Sequence, residues 1–163
     1  MKFTFPPSKW LRIAVCIILC QMAGLIGSIA TFPNIATWYA SLAKPAVVPP
    51  NWLFGPVWLT LYTLMGIALW LVWDGGIMKK KNSPALAFFT VQLMLNGLWS
   101  FLFFGWHMLL ASLAEIIVMW VFILLSIITF YKIDKRAGLI LVPYICWVTI
   151  AATLNYYLWV LNP

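Results

Sequence analysis

Long apolar runs alternate with short polar breaks along this chain, and the runs share one length. Five stretches, roughly 11–31, 56–73, 84–104, 108–130 and 138–161, each hold about the 20 mainly apolar residues that a membrane-crossing helix needs. The pattern predicts an all-α membrane protein, a bundle of five transmembrane helices, organised as a single domain over 1–163. The first run continues into Thr31–Phe32–Pro33 without a small-residue cleavage site, so it reads as the first span and not as a signal peptide. The break at 105–107 is so short that the third and fourth spans must form an antiparallel hairpin. The break at 32–55 is the only long one, and Pro33, Pro45, Pro49, Pro50 and Pro56 lie in or beside it. Proline fixes φ and lacks an amide donor, which predicts a stiff, partly extended segment with one short helix near 35–42, placed as a lid. No internal repeat is evident, and an odd span count argues against a simple inverted-repeat transporter.

Composition and charge then orient the bundle. The chain is 65% hydrophobic and 8% charged, which excludes an ordinary soluble domain. Nine of the ten Lys and Arg residues fall in three places: Lys2, Lys9 and Arg12; Lys79, Lys80 and Lys81; and Lys132, Lys135 and Arg136. Only Lys44 lies elsewhere. The net charge of +7 flanks span ends and does not form a folded basic face, so it is read as a topology signal in contact with membrane lipid, not as a nucleic-acid site. The expectation is a multi-pass protein of a bacterial inner membrane, N-terminus cytoplasmic and C-terminus outside.

Polar and aromatic residues inside the spans are the informative ones, because lipid and protein core look alike to an apolar side chain. The second span carries Trp58 and Tyr62, one turn apart. The third carries Gln92, Asn96, Trp99 and Phe103 on one stripe, and the fifth carries Tyr144, Trp147, Ala151 and Asn155. The first contributes Gln21, Gly24, Gly27 and Ser28. At 1.5 Å per residue, Trp58, Tyr62, Asn96, Trp99, Glu115 and Asn155 fall in the half of the bilayer under the proline-rich segment, with Trp147 nearer the middle. An aromatic-walled small-molecule cavity under a lid accounts for that convergence. The competing reading makes Asn and Gln helix–helix contacts and makes Trp52, Trp106 and Trp159 interfacial anchors.

Glu115 is the only acid inside a span. No Lys or Arg lies at its depth, so its carboxyl is expected to be protonated or hydrogen-bonded to Ser, Asn or a backbone carbonyl. His107, the only histidine, reads as a surface residue, and no metal site is expected. Cys16, Cys20 and Cys146 read as small apolar fillers. Gly24 and Gly27, with Ala23 and Ser28, permit close helix approach, either inside the bundle or in a homodimer.

Several of these residues also form recognisable strings. Trp38–Tyr39, Lys44–Pro45, the run from Pro49 to Trp58 (PPNWLFGPVW) and Leu61–Tyr62 resemble the translocator protein family, TspO/MBR or peripheral-type benzodiazepine receptor. So do Gln92-x-x-x-Asn96-x-x-Trp99, Phe103–Phe104–Gly105, Pro143–Tyr144-x-x-Trp147 and Ala151–Ala152–Thr153-x-Asn155–Tyr156, across essentially the whole chain. The resemblance implies a five-span bundle, commonly dimeric, that binds tetrapyrroles such as protoporphyrin IX or haem and benzodiazepine-type ligands, with no obligatory cofactor. Carried over by position, it implies contacts from Trp58, Tyr62, Asn96, Trp99, Trp147 and Ala151, with Pro49, Pro50 and Tyr144 beside them. For some bacterial members it also implies light-dependent porphyrin degradation, in which Trp58 and Trp147 are the candidate participants. Gln92, Glu115 and Asn155 complete the polar intramembrane set.

Three departures stand out. Val47 occupies a position that is often Trp in the family, which predicts a missing aromatic wall. No basic residue follows Tyr156–Tyr157, which leaves a sterol motif unsupported. Glu115 stands where many members have Asp. Three functions remain open at this level: a tetrapyrrole sensor, regulator or carrier; a light-dependent porphyrin-degrading enzyme; and a proton-coupled exporter using Glu115.

Overall fold

A computed structural model describes residues 8–76 and 82–163. Lys2 and the Lys79–Lys81 triplet, on which part of the topology expectation rests, lie outside the described residues. Five helical stretches are long and apolar enough to cross a membrane: Lys9–Ile35, Asn51–Asp74, Ser83–Gly105, Leu109–Ile133 and Lys135–Leu161. In chain order the elements are α1 (Lys9–Ile35), α2 (Trp38–Ser41), α3 (Asn51–Asp74), α4 (Ser83–Ser100, continued as a π turn over Phe101–Gly105), α5 (Leu109–Ile133), α6 (Lys135–Ile140) and α7 (Val142–Leu161). No strand occurs among the described residues.

The helices extend beyond the apolar runs, and proline is the reason the ends were misplaced. Pro33 lies inside α1 and Pro56 inside α3, so neither ends its helix. Each removes one i→i−4 bond, a tolerable loss near a helix end. The connection between the first two spans is therefore 36–50, shorter than the expected 32–55, and α2 is a single turn within it. Pro143 acts more strongly. It stands at the start of α7 and the fifth span breaks at Leu141, where the Leu141 amide bonds back to Gly138 O (3.2 Å).

The connection after α4 is as tight as its length requires. The Trp106 amide donates to Phe101 O (2.7 Å), closing the π turn, and His107 turns the chain in a left-handed conformation (φ 57°). α1 and α5 run from or to the end of the bundle that carries Ser8 and the 132–136 cluster, here the basic end. The 36–50 connection and the Trp106–Met108 turn mark the loop end.

The two ends are built differently. Toward the basic end Met65, Ala68, Val72, Ala85, Phe89, Ile123, Phe130, Ala137 and Leu141 form a dense core, with Phe89 and Phe130 stacked at 5.1 Å. Small residues let helices touch there. A Cβ on Gly66 would sit 2.5 Å from Ile17 Cα, so the backbones of α1 and α3 are in contact. The Arg12–Asp74 ion pair (2.6 Å) joins the same two helices farther down. Asp134 caps α6 by accepting from the Arg136 amide (2.8 Å) and from its guanidinium (2.8 and 3.2 Å).

Gly24 and Gly27 settle within the bundle. Gly24 lies under the Tyr62 ring, and a Cβ on Gly27 would approach Ser100 Oγ at 2.7 Å. Cys16 and Cys20 are fully buried, whereas Cys146 faces outward.

Candidate functional site

The tight packing of the basic end stops at a layer of hydrogen bonds that crosses three helices. Tyr62 of α3 donates its hydroxyl proton to Asn96 Oδ1 of α4. Asn96 Nδ2 donates to the Tyr144 hydroxyl of α7 (3.0 Å), and Tyr144 donates on to Gln92 Oε1 (2.9 Å). All four side chains are buried. A buried polar group without a partner costs about 1–3 kcal/mol, so a chain of this kind fixes which helix faces meet.

Above this layer the bundle opens into a cavity of about 540 Å³. That volume lies inside the roughly 300–1,000 Å³ range of small-molecule sites. Its walls are aromatic. Trp58 stacks on Tyr62 (5.5 Å between centroids), Trp99 stacks on Phe103 (4.8 Å), and Phe54 meets Trp147 edge-on (5.7 Å). Trp99 is held by an indole N–H bond to Asn155 Oδ1 (3.2 Å), and Asn155 is anchored in turn through Leu109 O (3.0 Å). Among the described residues, two polar atoms on the lining have no partner: the Trp147 indole nitrogen and the Tyr39 hydroxyl, both buried. Burial also holds the Tyr39 phenol above its ordinary pKa, so it stays protonated and available as a donor.

Of the residues singled out in the sequence, the structure brings Trp58, Tyr62, Asn96, Trp99, Trp147, Ala151 and Asn155 together on this cavity. Tyr144 and Gln92 lie outside the lining and form the bonded floor beneath it. Pro50 precedes α3, accepting from the Leu53 amide (2.9 Å), and does not line the cavity. Pro49 and Val47 face a separate shallow depression outside α7, with Pro45, Thr149 and Thr153. Val47 is 87% exposed, so an aromatic side chain at this position would stand outside the cavity and not in its wall.

Glu115 also lies outside the lining. Among the described residues neither carboxylate oxygen has a hydrogen-bond partner, so of the two expected states, protonated or bonded to Ser, Asn or a carbonyl, the bonded one is not found. Ser112, one turn before it on α5, is engaged elsewhere, its Oγ donating to Leu109 O (3.0 Å).

The sequence did not single out Tyr39, Phe54, Leu154 or Leu158 for this site. Leu154 and Leu158 continue the Trp147–Ala151 stripe by helical spacing, so that signal was present. Tyr39 comes from the roof, and no periodicity reaches it. His107 is an exposed surface residue, as expected, but it is not idle. Its ring stacks on Trp38 (4.1 Å, 14° between planes) and its Nε2 lies 3.3 Å from Asn34 Oδ1.

This layout of five spans, bonded floor, aromatic cavity and proline-bearing roof can be set beside known proteins. The TspO/MBR family profile matches residues 16–160. The chain belongs to the TspO/MBR family. It is 45% identical to the "Tryptophan-rich protein TspO" of Chlorobaculum tepidum over 154 residues, covering 94% of this chain and 97% of that one. It is 39% identical to "Protein CrtK" of Rhodobacter capsulatus over 150 residues, 92% of each chain. It is 38% identical to the human "Translocator protein" over 124 residues, 75% of this chain and 73% of the relative. Family membership and the five spans together establish a multi-pass integral membrane protein.

Proposed function

We propose that this TspO/MBR protein binds a tetrapyrrole, protoporphyrin IX or haem, in the loop-end cavity and acts as a membrane sensor, regulator or carrier for it. The observation that carries this reading is the pairing of a flat-walled aromatic cavity with two unpartnered polar atoms on its lining, Trp147 Nε1 and Tyr39 Oη. A planar macrocycle gains by stacking on indole. Polar groups on the ligand would pair with donors that are otherwise left buried and unsatisfied. Benzodiazepine-type ligands fit the same description, being flat, aromatic and sparsely polar.

The basic residues support an N-terminus on the cytoplasmic side and a C-terminus outside, in a bacterial inner membrane, with the cavity in the outer half of the bilayer. Gly24 and Gly27 are used within the bundle, so a homodimer would form through other faces.

A light-dependent degradation of the bound porphyrin is the second reading, favoured by Trp58 and Trp147 both lining the cavity. Proton-coupled export is less well supported, because Glu115 does not reach the cavity.

One experiment separates them. Purified protein is titrated with protoporphyrin IX in the dark, following tryptophan quenching, and then illuminated while porphyrin absorbance is recorded. Saturable quenching with stable absorbance supports the sensor or carrier. Protein-dependent bleaching that disappears in a Trp58→Phe, Trp147→Phe double variant supports degradation. Absence of saturable quenching refutes tetrapyrrole binding.

A further inference from the structure

The cavity wall is not equally thick all round. Lining residues from α2, α4 and α7 are buried or half-buried. The exposed ones all come from α1 and α3: Leu25 and Phe32, and Asn51, Trp52, Gly55 and Leu59. Phe32 is 74% exposed and Trp52 71%. A side chain that is both cavity wall and outer surface marks a place where the wall is one residue thick.

The α1–α3 seam explains why the thinning occurs there. Toward the basic end the seam is closed by the Arg12–Asp74 ion pair, Lys9 over the Trp70 ring, the backbone of Ile17 against Gly66, Gln21 and, one turn farther, Gly24 against the Tyr62 ring. Gln21 Nε2 donates to Leu59 O (3.0 Å) and to Thr63 Oγ1 (3.1 Å). Beyond Gln21, among the described residues, no hydrogen bond joins residues 22–35 of α1 to α3. A Cβ placed on Gly55 would meet nothing within 4 Å. The part of α1 beyond these contacts, from Gly24 to Phe32, is roughly 12 Å long and lies wholly within an apolar span.

The roof, in contrast, is fastened on three sides. Asn162 at the end of α7 clamps Ala43 by accepting from its amide (2.9 Å) and donating to its carbonyl (3.0 Å). Lys44 Nζ donates to Tyr39 O (2.6 Å), closing the turn after α2. His107 covers Trp38. Held this way, the segment covers the cavity as the stiff lid that its prolines predict.

We propose that the α1–α3 gap at the loop end is a lateral portal, through which a flat, largely apolar, membrane-dissolved ligand passes between bilayer and cavity. The roof over residues 36–50 keeps out the aqueous phase. Gly24 against the Tyr62 ring sets the lower limit of the opening, and Gly55 and Leu25 stand on its opposite rims. The ligand class rests on the tetrapyrrole reading; the route itself does not.

The test therefore has two arms, both in lipid nanodiscs. In the first, Ala151→Cys is placed on the far wall in a Cys146→Ser background, and its thiol is challenged with pyrene maleimide dissolved in the lipid or with a charged, water-soluble methanethiosulfonate. The expected result is modification by the lipid-borne reagent, slowed about tenfold by Gly55→Phe and also by Leu25→Phe on the facing rim. Faster modification by the charged reagent, accelerated by Asn162→Ala, would overturn the portal in favour of entry through the roof. Equal rates with and without both plugging variants, each shown to unfold at the wild-type temperature, would overturn it as well.

In the second arm, protoporphyrin IX preloaded in the bilayer is followed by stopped-flow tryptophan quenching. Both plugging variants should slow association and dissociation together, by about tenfold each. Wild-type rates in both variants would again overturn the portal. If wild-type protein binds no porphyrin at all, the ligand assignment falls while the labelling arm still decides the route.

Discussion

Gly55 and Gly66 stand on the same helix, about three turns apart, and do opposite things. At Gly66 the absent side chain lets α1 lie directly on α3; at Gly55 the absent side chain leaves open space beside a cavity. The same two helices are thus in contact toward the basic end and apart at the loop end, with Gln21 and Gly24 at the changeover. Cavity formation here does not come from a loose bundle. It comes from one seam that is closed at one end and held open at the other, above a floor of bonded side chains. A glycine in a membrane helix therefore has no fixed meaning until its neighbour is known.

The largest expected effect comes from treating the two glycines alike. Gly66→Ala pushes a methyl group into the Ile17 backbone and should cost about 1–3 kcal/mol or more, seen as a lowered unfolding temperature in detergent. Gly55→Ala meets no atom and should be neutral or stabilising by about 0.5–1 kcal/mol, since alanine is the better helix former. Equal effects from the two would break the comparison.

The floor comes next. Asn96→Leu strands the Tyr62 hydroxyl and removes the donor to Tyr144, which keeps its bond to Gln92, and about 1–3 kcal/mol of stability should go, together with porphyrin quenching. Trp147→Phe should separate the two properties. Its indole nitrogen has no partner to lose, so the unfolding temperature should hold while porphyrin affinity falls roughly tenfold. A stability loss in Trp147→Phe comparable to that of Asn96→Leu would show that wall and floor are one unit.

Effects at the basic surface should be smaller. Arg12 and Asp74 are each about a third exposed, so Arg12→Ala should cost about 0–1 kcal/mol, measured by unfolding at low and high salt. The Asp134 cap should be weaker still and pH-dependent. Hydrogen bonds from Arg136 hold the Asp134 carboxyl below its ordinary pKa of 3.8. Its stabilisation is therefore fully present above the ordinary aspartate range and lost as pH falls through the lowered value. The difference in unfolding temperature between wild type and Asp134→Asn should be seen at neutral pH and vanish in strong acid.

Much was legible before any coordinates. The apolar runs predicted the five helices, the three-residue break predicted the hairpin, and helical spacing put Asn96 with Trp99 and Trp147 with Ala151. These are local quantities: a span is set by how many residues cross hydrocarbon, and a stripe by 3.6 residues per turn. Helix ends were less legible, because Pro33 and Pro56 looked like stops and are accommodated inside α1 and α3.

Only the tertiary structure decided which face of each stripe opened on the cavity. It made Tyr144 and Gln92 the floor, turned Val47 and Pro49 outward, and left Glu115 without a partner. It also pinned the roof through Asn162, 119 residues from its partner Ala43. The reason is physical. In a membrane the core and the lipid are equally apolar, so hydrophobicity cannot say which way a helix faces. That choice rests on close contacts and hydrogen bonds between distant residues, and none of those has a period along the chain.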